Sequence, residues 1–133
     1  MKASIPYSFI SGKSINQTKG EMTKINEKVS IQFVKGKDEI TNPEIRIFRN
    51  VDGKRGKAIY KFNKPSTITL ENFKSINRMY LIDEEGELST RKIEVSISEK
   101  HIKEVTSIYN WISEIEFERF MRFAKRHAKS IVN

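Results

Sequence analysis

The sequence predicts an α+β fold: a single domain built on a twisted antiparallel β-sheet of about five or six strands, with a C-terminal amphipathic helix packed on it. Three observations carry that prediction. Short β-prone runs between Ser30 and Tyr109 are broken by Gly, Pro, Asp and Asn. Apolar Ile93, Val95 and Ile97 alternate with polar Glu94, Ser96 and Ser98, as a half-solvated antiparallel strand requires. From Ser113 the apolar spacing changes from that of a strand to that of a helix. At 133 residues the chain has the size of one domain with a modest core.

Residues 1–28 read as a flexible N-terminal extension, rich in Ser, Lys, Asn and Thr, with Ile5, Tyr7, Phe9 and Ile10 as a weak apolar group. Its Lys2, Lys13 and Lys19, with no acid before Glu21, also suit a targeting segment, but it has no Arg and no secretory apolar region. Met22 is a possible true start. Removing the first 21 residues takes away three Lys and one Glu and lowers the net charge from +8 to +6. The domain proper is residues 29–133.

Within it, Ile45–Arg49 and Lys57–Phe62 flank Asn50–Gly56, where Asp52-Gly53 favours a hairpin turn, and the tip carries Lys54, Arg55 and Lys57. Pro65 closes the second strand, and Ser66–Ser75 is a polar connection with room for a short helical turn near Leu70 and Phe73. Arg78–Ile82 is then expected as the third strand of a meander, stopped by the acidic turn Asp83-Glu84-Glu85-Gly86. A turn at Glu99-Lys100 returns Ile102–Tyr109 beside the alternating strand. Ser113 and Glu116 form a capping box ahead of Phe117, Phe120, Met121, Ala124 and Ala128 on one helix face. Phe123 falls off that stripe, among Arg119, Arg122 and Arg126 on the outer face.

The charge bounds the partners. Lys and Arg number 25 against 17 Asp and Glu, which favours an acidic protein surface, anionic lipid or nucleic acid. No cysteine is present for a thiolate metal site, a disulfide or a thiol nucleophile. The apolar runs are far shorter than the roughly 18 residues of a spanning helix.

No catalytic, cofactor or metal site is predicted. His101 and His127 read as ordinary surface residues, with no carboxylate at ligand spacing, and no glycine loop cradles phosphate. The cluster Asp83, Glu84, Glu85 and Glu87 is too short for an EF-type calcium loop of about 12 residues, so a solvated turn is the simpler reading. Phe48, Tyr60 and Phe62 near Arg46, Arg49, Lys57 and Lys61 raise the possibility of a base-stacking platform, but no RNP-like block is present.

Four blocks taken together are more specific: IQFVKG at Ile31–Gly36, PEIRIFRNVDG at Pro43–Gly53, MYLIDEEGEL at Met79–Leu88 and FERFMRFAKR at Phe117–Arg126. In this order they closely resemble the photosystem II reaction-centre protein twenty-eight (Psb28) family, the thirteen-kilodalton photosystem II assembly subunit. The resemblance implies a non-catalytic accessory factor on the cytoplasmic or stromal face of photosystem II assembly or repair intermediates, peripheral to the thylakoid membrane. The implied partners are core subunits, namely the inner antenna protein and reaction-centre polypeptides, met through a sheet edge and a basic surface. Small-molecule substrate and nucleic acid are not expected. The expected contact residues are Arg46, Arg49, Lys54, Arg55, Lys57 and the outer-face Phe123. The alternative is a basic RNA- or ribosome-associated binder, and a lipid-surface protein is the third class.

Overall fold

Period-two alternation builds the central hairpin, β4 (Glu44–Asn50) and β5 (Gly56–Asn63). Ile45, Ile47, Ala58, Tyr60 and Phe62 are buried, while Glu44, Arg46, Lys57 and Lys61 between them are exposed. The structure, a computed structural model, describes residues 4–9 and 28–131. β9 (His101–Trp111) lies antiparallel along the full length of β5, from Gly56 opposite Trp111 to Asn63 opposite Glu104. β8 (Ile93–Ser98) joins β9 through a turn in which Glu99 and Lys100 both take positive φ, 44° and 69°. On the other side β1 (Ser4–Phe9) pairs with β4. The order of this sheet is β1-β4-β5-β9-β8.

A second antiparallel sheet holds β2 (Ser30–Val34), β3 (Lys37–Asp38), β6 (Met79–Asp83) and β7 (Gly86–Thr90), in the order β3-β2-β6-β7. The α+β class, the antiparallel strands and the C-terminal helix agree with the sequence reading, but the strands divide between two sheets. The stretch expected to extend the β4–β5 meander instead pairs with β2, placing Ile31 opposite Leu81. Both strands send apolar residues inward, Ile31 and Phe33 from one, Met79 and Leu81 from the other. Phe33 meets Phe62 edge-on at 5.1 Å, so the sheets share one core.

Of the N-terminal stretch read as an extension, Ser4–Phe9 is strand β1, and residues 10–27, Met22 among them, lie outside the described residues.

Polar side chains fix the connections. Glu39, buried after β3, accepts hydrogen bonds from the backbone N–H and hydroxyl of Ser66 (2.6 and 2.7 Å) and of Thr67 (3.0 and 2.6 Å). Burial opposes its charge, but those donors outweigh the effect and hold its carboxyl below the ordinary range. Asn72 and Thr69 exchange hydrogen bonds ahead of a 3₁₀ turn at Phe73–Ser75. Where the chain passes from β7 to β8, the Thr90 hydroxyl donates to Ile108 O at 2.7 Å and Ile108 N donates to Lys92 O at 3.1 Å, tying the corner to β9.

The helix α1 (Glu114–Ile131) starts as its capping residues dictate. Glu116 N donates to Ser113 Oγ at 3.1 Å, and the Glu116 carboxylate accepts from Ile112 N at 2.9 Å. Its buried residues are Phe117, Phe120, Phe123, Ala124 and His127. Two sequence expectations are corrected here. Phe123 is not on the outer face but wholly buried, and His127 is a buried residue stacked on it at 5.7 Å between ring centres. Two sheets meet this helix, so the apolar face it needs is wider than the stripe that covers one sheet.

Trp111 forms the hub of the helix contact, with Phe117 at 5.2 Å and Phe120 at 5.3 Å. Opposite it stands Gly56, where an added Cβ would lie 2.6 Å from Trp111 Cζ2 and would also strike the Phe48 carbonyl. Only glycine lets β5 pass under the indole. Gly56→Ala is therefore expected to cost about 1–3 kcal/mol by overpacking, read as a lower urea midpoint with an unchanged slope.

Candidate partner-binding surface

The hairpin tip folds on its own backbone. Gly53, at φ 74°, donates from its N–H to Asn50 O at 2.9 Å, and Asn50 N donates to Arg55 O at 2.8 Å. Asp52 Oδ1 accepts from the N–H groups of Lys54 (2.8 Å) and Arg55 (3.3 Å), which lower the Asp52 pKa. A loop satisfied in this way leaves its side chains free, and Lys54, Arg55 and Lys57 are exposed. Arg46 is also exposed, with only a solvent-facing pair to Glu44 at 3.5 Å.

Arg49 has another role. Its side chain is 22% exposed, its Nη2 donates to Gly53 O at 2.6 Å, and its guanidinium lies 3.9 Å from the centre of the Phe117 ring. With Glu114 at 3.8 Å, it ties the hairpin to the helix start. Of the six contact residues expected from sequence, Arg46, Lys54, Arg55 and Lys57 are exposed, Lys54 and Arg55 in the hairpin tip and Arg46 and Lys57 on its strands, while Arg49 is engaged in packing and Phe123 is buried.

The sequence reading missed the apolar floor beside this charge. On the sheet face turned away from the core, Phe48 and Ile59 line a depression of about 300 Å³ rimmed by Arg46 and Lys61 and by the acidic Glu44 and Glu104. A second depression, of about 360 Å³, runs from Phe48 past Lys57 to Ile112, which is 69% exposed. Strand parity was the available signal, since the inward Ala58, Tyr60 and Phe62 turn Lys57, Ile59 and Lys61 outward. The same parity removes the stacking platform, because Tyr60 and Phe62 are 0% exposed.

The acidic turn is divided: Asp83 is buried against the helix, while Glu84, Glu85 and Glu87 stay exposed. The Asp83 side chain is 0% exposed and receives Arg119 Nη2 on Oδ1 at 2.8 Å, with Arg119 Nη1 at 3.0 Å and Arg126 Nη1 at 2.8 Å on Oδ2. Glu85 is bound by both Arg122 and Arg126, at 2.8 and 2.6 Å. Burial alone pushes the Asp83 carboxyl up, but the two guanidinium groups outweigh it and hold it low. Hydrogen bonds from Arg122 and then Arg126 bring Glu85 down to about 2. These residues hold the helix on β6, and the expectation of a solvated turn is corrected at Asp83 alone. Among the described residues no group of His, Asp and Glu is arranged to hold a metal ion, and no helix is long and apolar enough to cross a membrane.

The family model of the Psb28 protein matches residues 31–131. The chain belongs to the Psb28 family. A relative from Prochlorococcus marinus (strain NATL2A), named photosystem II reaction center Psb28 protein, is 70% identical over 110 residues, which cover 83% of this chain and 97% of that protein. A second from Prochlorococcus marinus (strain MIT 9211), of the same name, is 44% identical over 107 residues, 80% of this chain and 90% of its own. A third, from Synechococcus sp. (strain CC9605), is 41% identical over 101 residues, 76% of this chain and 80% of its own. The basic hairpin, the acidic turn and the helix arginines all lie inside the Psb28 match, and β1 lies before it.

Three ionisable groups, His127, Asp83 and Glu85, set two pH windows. Burial lowers the His127 pKa from 6.5 to about 4, so as pH falls through that range the unfolded chain takes up a proton that the native state does not, and stability declines. Asp83 and Glu85 have native values below their unfolded ones, so their contribution is complete above about pH 4.5 and is lost as pH falls toward 2. In urea titrations across pH, His127→Leu is expected to flatten the upper window alone. Asp83→Asn is expected to cost about 3 kcal/mol at neutral pH, with the difference from the parent narrowing in acid.

Proposed function

We propose that this protein is a non-catalytic accessory factor of photosystem II, binding assembly or repair intermediates on the cytoplasmic or stromal face as a peripheral protein of the thylakoid membrane. Membership of the Psb28 family supports the photosystem II role. The supporting observation in this chain is the exposed group of Arg46, Lys54, Arg55 and Lys57 beside the apolar floor of Phe48 and Ile59. Positive charge around an uncovered sheet speeds encounter with an acidic protein surface and orients it, and a sheet edge supplies main-chain hydrogen bonds once docked. Core subunits of photosystem II, the inner antenna protein and the reaction-centre polypeptides, are the partners this reading assigns.

Affinity purification of the tagged protein from solubilised photosynthetic membranes tests the reading. Recovery with reaction-centre complexes that lack the mature oxygen-evolving subunits supports it; recovery with RNA or lipid alone overturns it. Arg55→Glu combined with Lys57→Glu is expected to lower affinity roughly tenfold at low ionic strength and to flatten its salt dependence. Binding that is unchanged across ionic strength removes the hairpin from the contact surface.

A further inference from the structure

The outer edge of β4 carries a strand of this chain's own. β1 runs antiparallel along it with Ile5 opposite Arg49, Tyr7 opposite Ile47 and Phe9 opposite Ile45. Strand parity shows which backbone groups make that ladder. Asn50 N donates to Arg55 O, so Asn50, Phe48, Arg46 and Glu44 turn their N–H and C=O groups toward β5. Ile45, Ile47 and Arg49 present theirs to the other side, where β1 lies. On β1 the partners are therefore Ile5, Tyr7 and Phe9. Pro6, opposite Phe48, has its missing donor on the outer side, where it costs no ladder bond and blunts the new edge against further pairing.

β1 also stands outside the Psb28 match at residues 31–131, joined to β2 only through residues 10–29. A strand tethered by about twenty residues of chain meets its edge at an effective concentration on the order of millimolar. It competes with any other extended segment for the same row of groups.

We infer that the edge of β4 is a strand-docking site and that β1 is its built-in occupant, which must leave before an extended segment of a photosystem II subunit can pair there. This rests on the function proposed above and specifies its edge and its regulation. β1 shows what the site accepts: an antiparallel segment of about six residues, apolar at alternate positions, entering beside the basic hairpin. An edge closed about nine-tenths of the time lowers a partner's apparent affinity roughly tenfold.

Parity supplies the test within the full-length chain. Tyr7→Pro deletes a ladder donor, whereas Ser8→Pro deletes an outward one and serves as the control. Hydrogen exchange is expected to show loss of protection at Ile45, Ile47 and Arg49 in Tyr7→Pro only, with Arg46 and Phe48 still protected by β5. A peptide copy of residues 2–11 is expected to be captured by Tyr7→Pro and not by the parent or Ser8→Pro. Solubilised photosystem II intermediates are expected to bind Tyr7→Pro roughly tenfold more tightly than the parent. Unchanged exchange, no peptide capture, or equal photosystem II affinity once β1 has been released each overturns the inference, the last by pointing to the β8 edge. Peptide capture with no photosystem II binding by any variant instead overturns the accessory function and leaves the edge as a docking site for another extended chain.

Discussion

The structure depends on one buried charge. Asp83 stands at the end of β6 with its carboxylate shut away from water, a position that is untenable without compensation. Arg119 and Arg126, two turns apart on α1, supply that compensation through three hydrogen bonds. The pairing fixes the rotation of the helix about its axis and its height above β6. Phe120 and Phe123 enter the core at the positions that this setting permits. Directional hydrogen bonds to a buried charge add to the fit of the rings, because any shift that breaks them leaves that charge uncompensated.

The helix thereby closes one side of the molecule and leaves the other open. Trp111, Tyr60 and Tyr109 surround Phe120, at ring distances of 5.3, 6.4 and 5.5 Å, and fill the space between the first sheet and α1. On the reverse of the same sheet, Phe48 and Ile59 have no layer above them among the described residues. The basic residues that the sequence placed in one hairpin gather at the margin of that open face. A Psb28-family domain built this way has a dry side packed on the helix and a wet side that carries exposed charge.

Local chemistry was legible in the sequence. The hairpin β4–β5, the Ser113 and Glu116 cap and the turn after Ile82 are each specified by residues within a few positions of one another. What was not legible depends on distance along the chain. Alternation marks β6 as a strand but does not say that β2, nearly fifty residues earlier, is its neighbour. The turn acids resemble any solvated cluster until Arg119, Arg122 and Arg126, 36 to 43 residues away, are folded onto them. Phe123 lies off the stripe that covers one sheet, and a second sheet widens the buried sector to include it. Arg49 looked like another surface base because its partners, the Gly53 carbonyl and the Phe117 ring, are assembled only by the hairpin and the helix together.

The hairpin tip has a consequence for how this lineage can change. Its turn is closed by Gly53, Asp52 and main-chain groups, and the side chains of Lys54 and Arg55 contribute nothing to that closure. Substitutions at those two positions therefore leave folding almost untouched. A scaffold that closes its turn through main-chain groups lets the charge of its tip change while the strands beneath stay the same.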